Sequence, residues 1–388
     1  MSRSMVGAAA AAGVGVLQFK RGQSPWGEGG VLIRAIVQAC EDAGIDPSDV
    51  DGFVSYGDDK NQPDRLMPDL GTKELRLATA VWGGGGGGLL AAFEVASMAI
   101  ATGQAEAVIV FRAIVEGSSG RLSAAVTEHH INNHLVGSGM FAPAQICGMR
   151  ARRMIEQRRL PESAAEALVR ADYYHAARNP EAVAYGNDFT VEDYRASRMI
   201  VDPIKLYDSS RENDGAGAIL LVSAERARDL RKKPVYLLAA AHGAHKGWGD
   251  LLENDTDYTS TGFESIARRL WEKTGLGPKD IDVTQLYENF SFQGLSSLVG
   301  HGLTTWESMA EDIVFENLIA PSGRIPVNTS GGNLGQGFIH GINIAVEAVR
   351  QLRGESSNPV PGARTCLVAG GPGSPINSSA IFANELPD

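Results

Sequence analysis

The same succession of elements occurs twice in this chain, at a constant offset of 231 residues. In the first copy, hydrophobic periodicity predicts a helix over 29–43, which ends at a glycine and leads through a proline-containing turn to a strand over 52–56. In the second copy, a helix over 263–273 leads in the same way to a strand over 283–287. The residues that match at this offset are Gly44 and Gly275, Pro47 and Pro278, Asp49 and Asp280, Asp51 and Asp282, and Tyr56 and Tyr287. Such a repeat indicates a duplicated α/β unit with mainly parallel sheets and right-handed crossovers.

A glycine-rich loop follows the repeated segment in each copy. In the first copy six consecutive glycines, 83–88, precede a helix predicted over 91–101 and a strand over 107–111. Glycine offers only backbone amides, which can approach a ligand closely, and amides at the start of a helix can hold an oxyanion or a phosphate. A flexible linker is the alternative. The well-patterned helix directly after the glycines favours the binding loop.

The second copy has its own glycine loop at 331–337, followed by a predicted helix over 339–352 and a strand over 364–369. Ligands of such sheets bind at the carboxyl ends of the strands, where these loops lie. The predicted organisation is an N-terminal half formed by 1–115 and 203–232, a helical insertion over 116–202, and a C-terminal half over 233–388. The sequence also predicts a first strand at 13–19, helices at 145–157 and 161–177, and strands at 215–222 and 234–241.

Composition limits the classes of partner. A formal net charge of −11 argues against non-specific nucleic-acid binding. Three cysteines are too few for a disulfide framework or a zinc site, so we expect no bound metal and a reducing, cytoplasmic location. No stretch of the sequence reaches the roughly 18 apolar residues of a membrane span, so none is expected.

Further motifs occur in a fixed order along the chain. The motifs are the duplicated half, the helical insertion, Asn213-Asp214-Gly215-Ala216, Asn328-Thr329-Ser330-Gly331-Gly332, and Gly370-Gly371-Pro372-Gly373. In these features the sequence resembles the thiolase superfamily, in the branch related to sterol carrier protein thiolases. The resemblance covers nearly the whole chain. It implies a duplicated thiolase fold, with two βαβαβ halves arranged as α/β/α/β/α layers and a helical insertion in the first half.

The resemblance also shows which thiolase side chains have changed. The position of the nucleophilic cysteine falls on Gly86, and the asparagine of the Asn-Glu-Ala-Phe-like motif falls on Tyr287. The histidine of the Gly-His-Pro motif falls on Phe338, with His340 two residues later. The second cysteine falls on Val368, and Cys366 nearby is predicted to be an ordinary buried residue. Claisen chemistry through an acyl-cysteine is therefore excluded.

What remains suits a different reaction. In the family, backbone N–H groups at the nucleophile position and in the final glycine loop form an oxyanion hole. The resemblance therefore implies that the N–H groups of Gly86 and Gly370 polarise a thioester carbonyl and stabilise an enolate. The phenol of Tyr287 is a fair general acid, and it is a base only if its neighbours lower its pKa. A retro-aldol cleavage of a β-hydroxyacyl-CoA needs these groups and no nucleophile. The departures resemble those of steroid side-chain-cleaving aldolases, called lipid-transfer proteins, which implies an acyl-CoA substrate and no cofactor bound by the chain.

The same resemblance implies partners: a homodimer formed through the first-half sheet, and a small OB-fold protein with a zinc ribbon that completes a heterotetramer. We expect Tyr287 and His340 to be catalytic, although a packed core tyrosine and a structural histidine are the alternatives. The predicted substrate-binding or oxyanion residues are Gly86, Gly370, Asn289, Asn328, Asn333, Phe338 and His242.

Other polar groups are more weakly predicted. His129, His130 and His134 suggest a loop or lid more than a metal site, and His245 is placed with His242 at the rim of the site. The arginines of the insertion either face solvent or meet CoA phosphates. They are Arg150, Arg152, Arg153, Arg158 and Arg159.

Two other functions remain open. One is a thiolase-fold subunit without chemistry of its own, which binds acyl-CoA or supports a partner. The other is an acyltransferase with a different nucleophile, such as Ser118 or Ser291. Neither serine falls at the nucleophile position, so the acyltransferase is the weakest of the three hypotheses.

Overall fold

The computed structural model describes residues 5–119, 136–244, 257–374 and 376–387. Its strands are β1 (Ala9–Lys20), β2 (Gly52–Tyr56), β3 (Leu77–Val81), β4 (Ala107–Val115), β5 (Met199–Val201), β6 (Ile204–Lys205), β7 (Asn213–Ser223), β8 (Val235–Gly243), β9 (Val283–Leu286), β10 (Thr365–Gly370) and β11 (Asn377–Ala383). Its helices are α1 (Glu28–Ala43), α2 (Pro63–Leu70), α3 (Leu89–Ala101), α4 (Glu116–Ser119), α5 (Pro143–Arg158), α6 (Glu162–Arg178), α7 (Val191–Ala196), α8 (Ala224–Ala227), α9 (Phe263–Thr274), α10 (Ser291–Gly300), α11 (Met309–Asp312), α12 (Phe315–Leu318) and α13 (Ile342–Arg353). No helix in these described segments is long and apolar enough to span a bilayer.

The two copies of the repeat form the two ends of one mixed sheet, with the strand order β3-β2-β4-β7-β1-β8-β11-β10-β9. The first five strands in this order, β3 through β1, belong to the first copy, and the last four, β8 through β9, belong to the second. The copies meet where Ala9–Ala11 of β1 pair with Val235–Leu237 of β8. The prediction of mainly parallel sheets is only half right. Within each copy, the main strands run in one direction except for the last, which is β7 in the first copy and β11 in the second. This last strand lies between two of the others and runs antiparallel to both. Most neighbouring pairs are therefore antiparallel.

The helices form layers around this sheet. Helix α1 packs on β1, β4 and β7, and α9 packs on β8 and β11. Helices α3 and α13 lie between the two copies, since each contacts strands of both. The result is the predicted α/β/α/β/α layering of a thiolase fold. The inner layer buries Tyr56, Tyr287 and Phe338 together with the apolar faces of α3 and α13.

The matched glycines and aspartates of the repeat have the same structural roles in both copies. Gly44 and Gly275 end α1 and α9 in the left-handed conformation, with φ of 74° and 71°. The carboxylate of Asp51 accepts hydrogen bonds from the backbone N–H of Ala107, at the start of β4. Asp282 likewise accepts from the backbone N–H of Thr365, at the start of β10. The offset of 231 residues therefore reflects a structural duplication.

The insertion contributes helices α5, α6 and α7. Helix α6 packs against α10 and α12 and against the turn Gly332–Gln336 of the second copy. It thereby lies behind the segment that carries Phe338 and His340. The predicted helices at 145–157 and 161–177 correspond to α5 and α6, with ends that differ by one or two residues.

Candidate active site

Tyr287 lies directly after β9 and is held to the neighbouring strand by a hydrogen bond from its N–H to the carbonyl of Ala369, at 2.9 Å. Its side chain is buried against two glycines. A Cβ added to Gly86 would lie 2.5 Å from Cδ2 and 2.8 Å from Cζ of the ring. A Cβ on Gly341 would lie 2.8 Å from Cδ2. Real carbon atoms do not approach so closely, so the ring occupies this place only because both residues are glycine.

The hydroxyl group of Tyr287 faces the six-glycine loop. Burial raises the pKa of Tyr287 above its usual value, against the opposing effects of the nearby Gly86 backbone N–H and the charge of Arg112. The free protein therefore holds a neutral phenol, which suits a proton donor. The glycine predicted to provide an oxyanion donor lies directly against the tyrosine ring.

The glycine loop is an ordered part of the site and not a linker. Residues Gly85–Gly88 form a 3₁₀ turn that continues into α3. A Cβ on Gly370 would lie 2.8 Å from the carbonyl oxygen of Gly86, and one on Gly371 would overlap the backbone of Gly87. The six-glycine loop of the first copy is therefore in direct contact with Gly370 and Gly371 of the second copy, at the carboxyl end of β10.

His340 precedes its helix and does not belong to it. The helix was predicted to begin at 339, but α13 begins at Ile342, because His340 and Gly341 adopt left-handed conformations with φ of 46° and 86°. The carbonyl of His340 accepts a hydrogen bond from the hydroxyl of Tyr56, at 2.8 Å. Tyr56, which is buried at the end of β2, thus holds an unusual backbone conformation of His340 in place.

The imidazole of His340 is bonded to a buried arginine. Nδ1 lies 3.0 Å from Nε and 2.9 Å from Nη2 of Arg112, which is 3% exposed. Burial, together with the adjacent guanidinium, lowers the pKa of His340 to about 3, against the opposing effect of Asp58. His340 is therefore neutral throughout the physiological range.

Two aspartates hold Arg112 in turn. Nη1 donates to Asp59 Oδ2 at 2.9 Å, and Nη2 donates to Asp58 Oδ1 at 2.7 Å. Sequence reasoning missed Arg112, Asp58 and Asp59. The one signal in the sequence was the arginine itself, since it interrupts the otherwise apolar strand β4.

Phe338 lies between the two predicted catalytic residues. Its ring contacts Tyr287 edge to face, with centroids 5.7 Å apart, and contacts His340 in the same way at 5.0 Å. Its backbone N–H donates to the side-chain oxygen of Asn213. The structure therefore brings Tyr287, Phe338 and His340 into one row beside the glycine loops.

The predicted asparagines lie around a different group, the buried carboxyl of Glu288. Its Oε1 accepts hydrogen bonds from the backbone N–H groups of Asn333 and, at 3.3 Å, Leu334. Asn328 accepts from the N–H of Leu286 at 2.7 Å and donates to Asp172 at 3.5 Å. Burial raises the pKa of both Glu288 and Asp172, so the pair retains a proton near neutral pH.

Asn289 is half-buried, and its Oδ1 has no partner among the described residues. The side-chain atoms of Asn333 are likewise buried without a partner in the described segments. Among the described residues these amide atoms are therefore unsatisfied, whereas Asn328 is occupied by the turn that it closes.

His242 belongs to another surface. Its Nδ1 lies 2.7 Å from Glu94 on α3, and Glu94 also pairs with Lys273 at 3.2 Å. Glu94 and Lys273 line a separate cavity of about 290 Å³. No contact between described residues joins His242 to Tyr287 or His340, so the structure does not bring it into the row. His245, His129, His130 and His134 lie outside the described residues.

None of the described candidates for a nucleophile is placed for acyl transfer. Cys366 is fully buried on β10, and burial raises the pKa of its thiol. Ser291 is buried and donates its hydroxyl proton to Asp208 at 2.6 Å. The side chain of Ser118 is not described. In the insertion, Arg150 is buried and donates to the carbonyl of Ser260, so it does not lie on a solvated face.

Comparison with known proteins agrees with this geometry. Residues 244–383 match the thiolase C-terminal domain-like family. The chain is 35% identical over 390 residues to the 17-hydroxy-3-oxo-4-pregnene-20-carboxyl-CoA lyase of Mycobacterium tuberculosis, an alignment that covers 96% of this chain and 98% of that protein. It is 34% identical over 391 residues to the steroid side-chain-cleaving aldolase of Thermomonospora curvata, covering 98% and 99% of the two chains.

Among solved structures, the Ltp2-ChsH2(DUF35) aldolase superposes with a TM-score of 0.90, at 34% identity and over 98% of both chains. The duplicated, layered fold and the nucleophile position occupied by glycine define a thiolase-fold protein without the thiolase nucleophile. The chain belongs to the family of steroid side-chain-cleaving aldolases. It is a carbon–carbon lyase and not a functional thiolase, as the sequence predicted.

Proposed function

We propose that the chain cleaves the Cα–Cβ bond of a β-hydroxyacyl-CoA by a retro-aldol reaction in which Tyr287 relays the proton. The main support for the proposal is the packing at the position where a thiolase has its nucleophile. The ring of Tyr287 fills the space that a side chain on Gly86 would need, and the Gly86 backbone N–H is near enough to oppose the rise in the pKa of the phenol. A phenol therefore occupies the place of the thiol.

The proposed reaction needs no external proton. The Cα–Cβ bond breaks, and its electron pair forms the enolate of the thioester. The neutral Tyr287 phenol gives its own proton to Cα of this enolate and takes up the β-hydroxyl proton in its place, so the phenol is neutral before and after the reaction. The electron pair of the substrate O–H bond forms the new C=O bond, which gives a ketone or aldehyde and a shortened acyl-CoA. A phenol with a raised pKa suits this relay, because its pKa is closer to that of an alcohol than the usual value of about 10.

Backbone groups supply the electrostatic part of the proposed mechanism. The amide of Gly86 supports the tyrosine oxygen while it carries negative charge, and Gly370 in the adjoining loop supplies a donor for the enolate oxygen. Asn289, Asn333 and Phe338 line the remainder of the proposed substrate site. His242 is proposed only for a distal part of the acyl-CoA, since its partner Glu94 lines a separate cavity.

The proposed acyl group is a steroid side chain. This follows from the relatives, one of which is a pregnene-carboxyl-CoA lyase and another a steroid side-chain-cleaving aldolase. The solved relative is an assembly with ChsH2(DUF35). We accordingly propose a heterotetramer of two copies of this chain and two copies of a small OB-fold, zinc-ribbon protein.

The test is a product assay on the full-length chain, with and without its co-expressed OB-fold partner. The substrate is a steroid CoA thioester with a tertiary β-hydroxyl group. We expect equimolar ketosteroid and shortened acyl-CoA by liquid chromatography with mass spectrometry. Binding without turnover in both preparations would instead indicate a scaffold. A covalent acyl adduct in the intact mass would indicate an acyltransferase, and either result would overturn the proposal.

A further inference from the structure

The contact between Arg112 and His340 determines where the proton of the imidazole lies. A guanidinium group has only donors, and both Nε and Nη2 of Arg112 lie within 3.0 Å of His340 Nδ1. Nδ1 must therefore accept, and the single proton of the neutral ring is carried by Nε2. No described residue accepts a hydrogen bond from Nε2, so the side of the ring away from Arg112 presents a donor.

The arginine cannot easily turn away from the ring. Asp59, whose side chain is fully buried, accepts from Nη1 of Arg112 and from the backbone N–H of Ala113, at 2.9 and 3.0 Å. Asp58 accepts from Nη2 at 2.7 Å. The guanidinium is thus held at Nη1 and Nη2 by the loop after β2, and its edge with Nε and Nη2 faces His340.

The histidine is held as firmly as the arginine. The hydroxyl of Tyr56 donates a hydrogen bond to the carbonyl of His340. The rings of Phe338 and His340 pack edge to face, with centroids 5.0 Å apart. The charged and titratable groups around the imidazole are Arg112 on β4, Asp58 and Asp59 after β2, Tyr56 on β2 and Tyr287 after β9. Asp58 alone among the carboxylates approaches the ring directly, with Oδ1 3.9 Å from Nδ1.

We propose that Arg112 is a positioning residue that makes His340 a neutral hydrogen-bond donor through Nε2, directed at the thioester oxygen of the substrate. His340 then stabilises the enolate together with the backbone amides and does not act as the base. The inference rests on the proposed retro-aldol function for its substrate. The arrangement of the ring proton is a property of the free protein and can be measured without any substrate.

Removal of Arg112 has a defined consequence. In an Arg112→Met variant Asp58 and Asp59 lose their cation, and their negative charge then favours the imidazolium. We expect His340 to carry protons on both nitrogens at pH 6, where the wild-type ring carries one on Nε2. The rate of cleavage should become dependent on pH between 6 and 8, and kcat should fall about 100-fold with a smaller change in KM.

The ring itself can be tested with two side chains of nearly equal size. Glutamine keeps an N–H donor, whereas glutamate offers an acceptor or a base. A donor role predicts that His340→Gln retains at least about a tenth of the wild-type kcat and that His340→Glu retains less than about a hundredth. The opposite order would overturn the donor role and indicate a base.

The direct measurement is nitrogen-15 NMR of the full-length chain with labelled histidine, with His340→Gln used for assignment. The expected result is an unprotonated Nδ1 and a protonated Nε2 from pH 5.5 to 8, with a titrating ring in Arg112→Met. Arg353→Met is the control, because Arg353 is equally buried but bonds Asp42 and backbone carbonyls away from the site. Arg112→Lys, which keeps one donor for Nδ1, should partly restore the rate.

The outcomes separate the two proposals. A proton on Nδ1 in the wild-type protein, or an unchanged ring and pH profile in Arg112→Met, would overturn the role of Arg112. The predicted ring state in a protein that cleaves no β-hydroxyacyl-CoA would leave the positioning by Arg112 established and refute the retro-aldol reaction alone.

Discussion

Gly86 and Tyr287, one in each copy of the repeat, depend on each other through packing. The phenyl ring lies where a Cβ on residue 86 would be, so position 86 must be glycine as long as an aromatic ring stands at 287. A thiolase nucleophile cannot simply be restored here, because a cysteine at 86 would collide with the ring. The loss of the thiol and the gain of the tyrosine are therefore coupled by packing.

This coupling predicts the effect of a single methyl group. Gly86→Ala should displace the Tyr287 ring and reduce cleavage by at least about 100-fold, because misplacement of a reacting group by about 1 Å has that cost. Gly27→Ala is the matched control, since a Cβ there meets nothing within 4 Å and the residue has an ordinary φ. Steady-state kinetics of both variants is the measurement. Unchanged kcat in Gly86→Ala would show that the ring does not need its present place.

The sequence predicted Tyr287 and the glycine loops because each stands within a recognisable motif. It did not predict the arginine that controls His340, because Arg112 and His340 are 228 residues apart and no local pattern connects them. The sequence also predicted that α13 begins at 339, three residues too early. The apolar periodicity continues back to 339, and the left-handed conformation of His340 cannot be recognised from the sequence.

At the scale of elements, the carboxyl pair Asp172–Glu288 connects the insertion to the second copy. Asp172 lies on α6, and Glu288 holds the backbone of the turn Gly332–Gln336, four residues before His340. Because the two acids share a buried site, one charge is tolerated and two are unfavourable. The proton on this pair therefore stabilises the position of the turn.

The pair predicts how stability depends on pH. Burial raises the pKa of Glu288 to about 8 from 4.5, so the folded state binds more protons than the unfolded state between these values. The free energy of unfolding should then fall as pH rises from about 5 to 8. Glu288→Gln, which keeps the acceptor for Asn333 and Leu334, should make this fall shallower. Glu106→Gln, at an exposed glutamate, is the control.

Chemical denaturation at pH 5, 6.5 and 8 measures the effect. If the wild-type protein and Glu288→Gln lose stability in parallel over this range, the shared proton has no role in holding the turn. The sequence pointed to Glu288 only as part of the Tyr287 motif. Its partner Asp172 comes from the insertion, whose packing no repeat could predict.

At the scale of the whole molecule, the duplication explains most of the fold. The equivalent elements recur with their capping glycines and with the strand-capping aspartates Asp51 and Asp282. The layers were predicted from the resemblance to thiolases, and in the structure both α3 and α13 are largely buried. The antiparallel insertion of β7 and β11 was not predicted, since strand direction depends on long connections and leaves no periodicity in the sequence.

The sheet also predicts an assembly. Strand β3 lies at one edge, with no further strand beside it in the described chain, and its side chains at Ala78 and Ala80 are exposed. Paired about a two-fold axis, such an edge forms the proposed homodimer. Light scattering should give twice the chain mass of 41.1 kDa. Ala78→Glu with Ala80→Glu should shift the mass toward one chain, because like charges then meet across the axis.

Ala196→Glu, at an exposed alanine of α7, is the control for the added charge. A wild-type protein with the mass of one chain in the presence of its OB-fold partner would contradict the proposed heterotetramer. A dimer that persists in the β3 variant would place the two-fold axis at another surface.

The most direct test of the proposed catalytic role of Tyr287 is the cleavage rate of Tyr287→Phe, measured with the OB-fold partner present and a steroid β-hydroxyacyl-CoA as substrate. The change removes one oxygen and leaves the ring that packs on Gly86. We expect a loss of about 100- to 10,000-fold in kcat with nearly unchanged KM, and no loss in the control Tyr185→Phe, whose side chain is exposed. A Tyr287→Phe enzyme that cleaves at the wild-type rate would show that the phenol takes no part in the reaction.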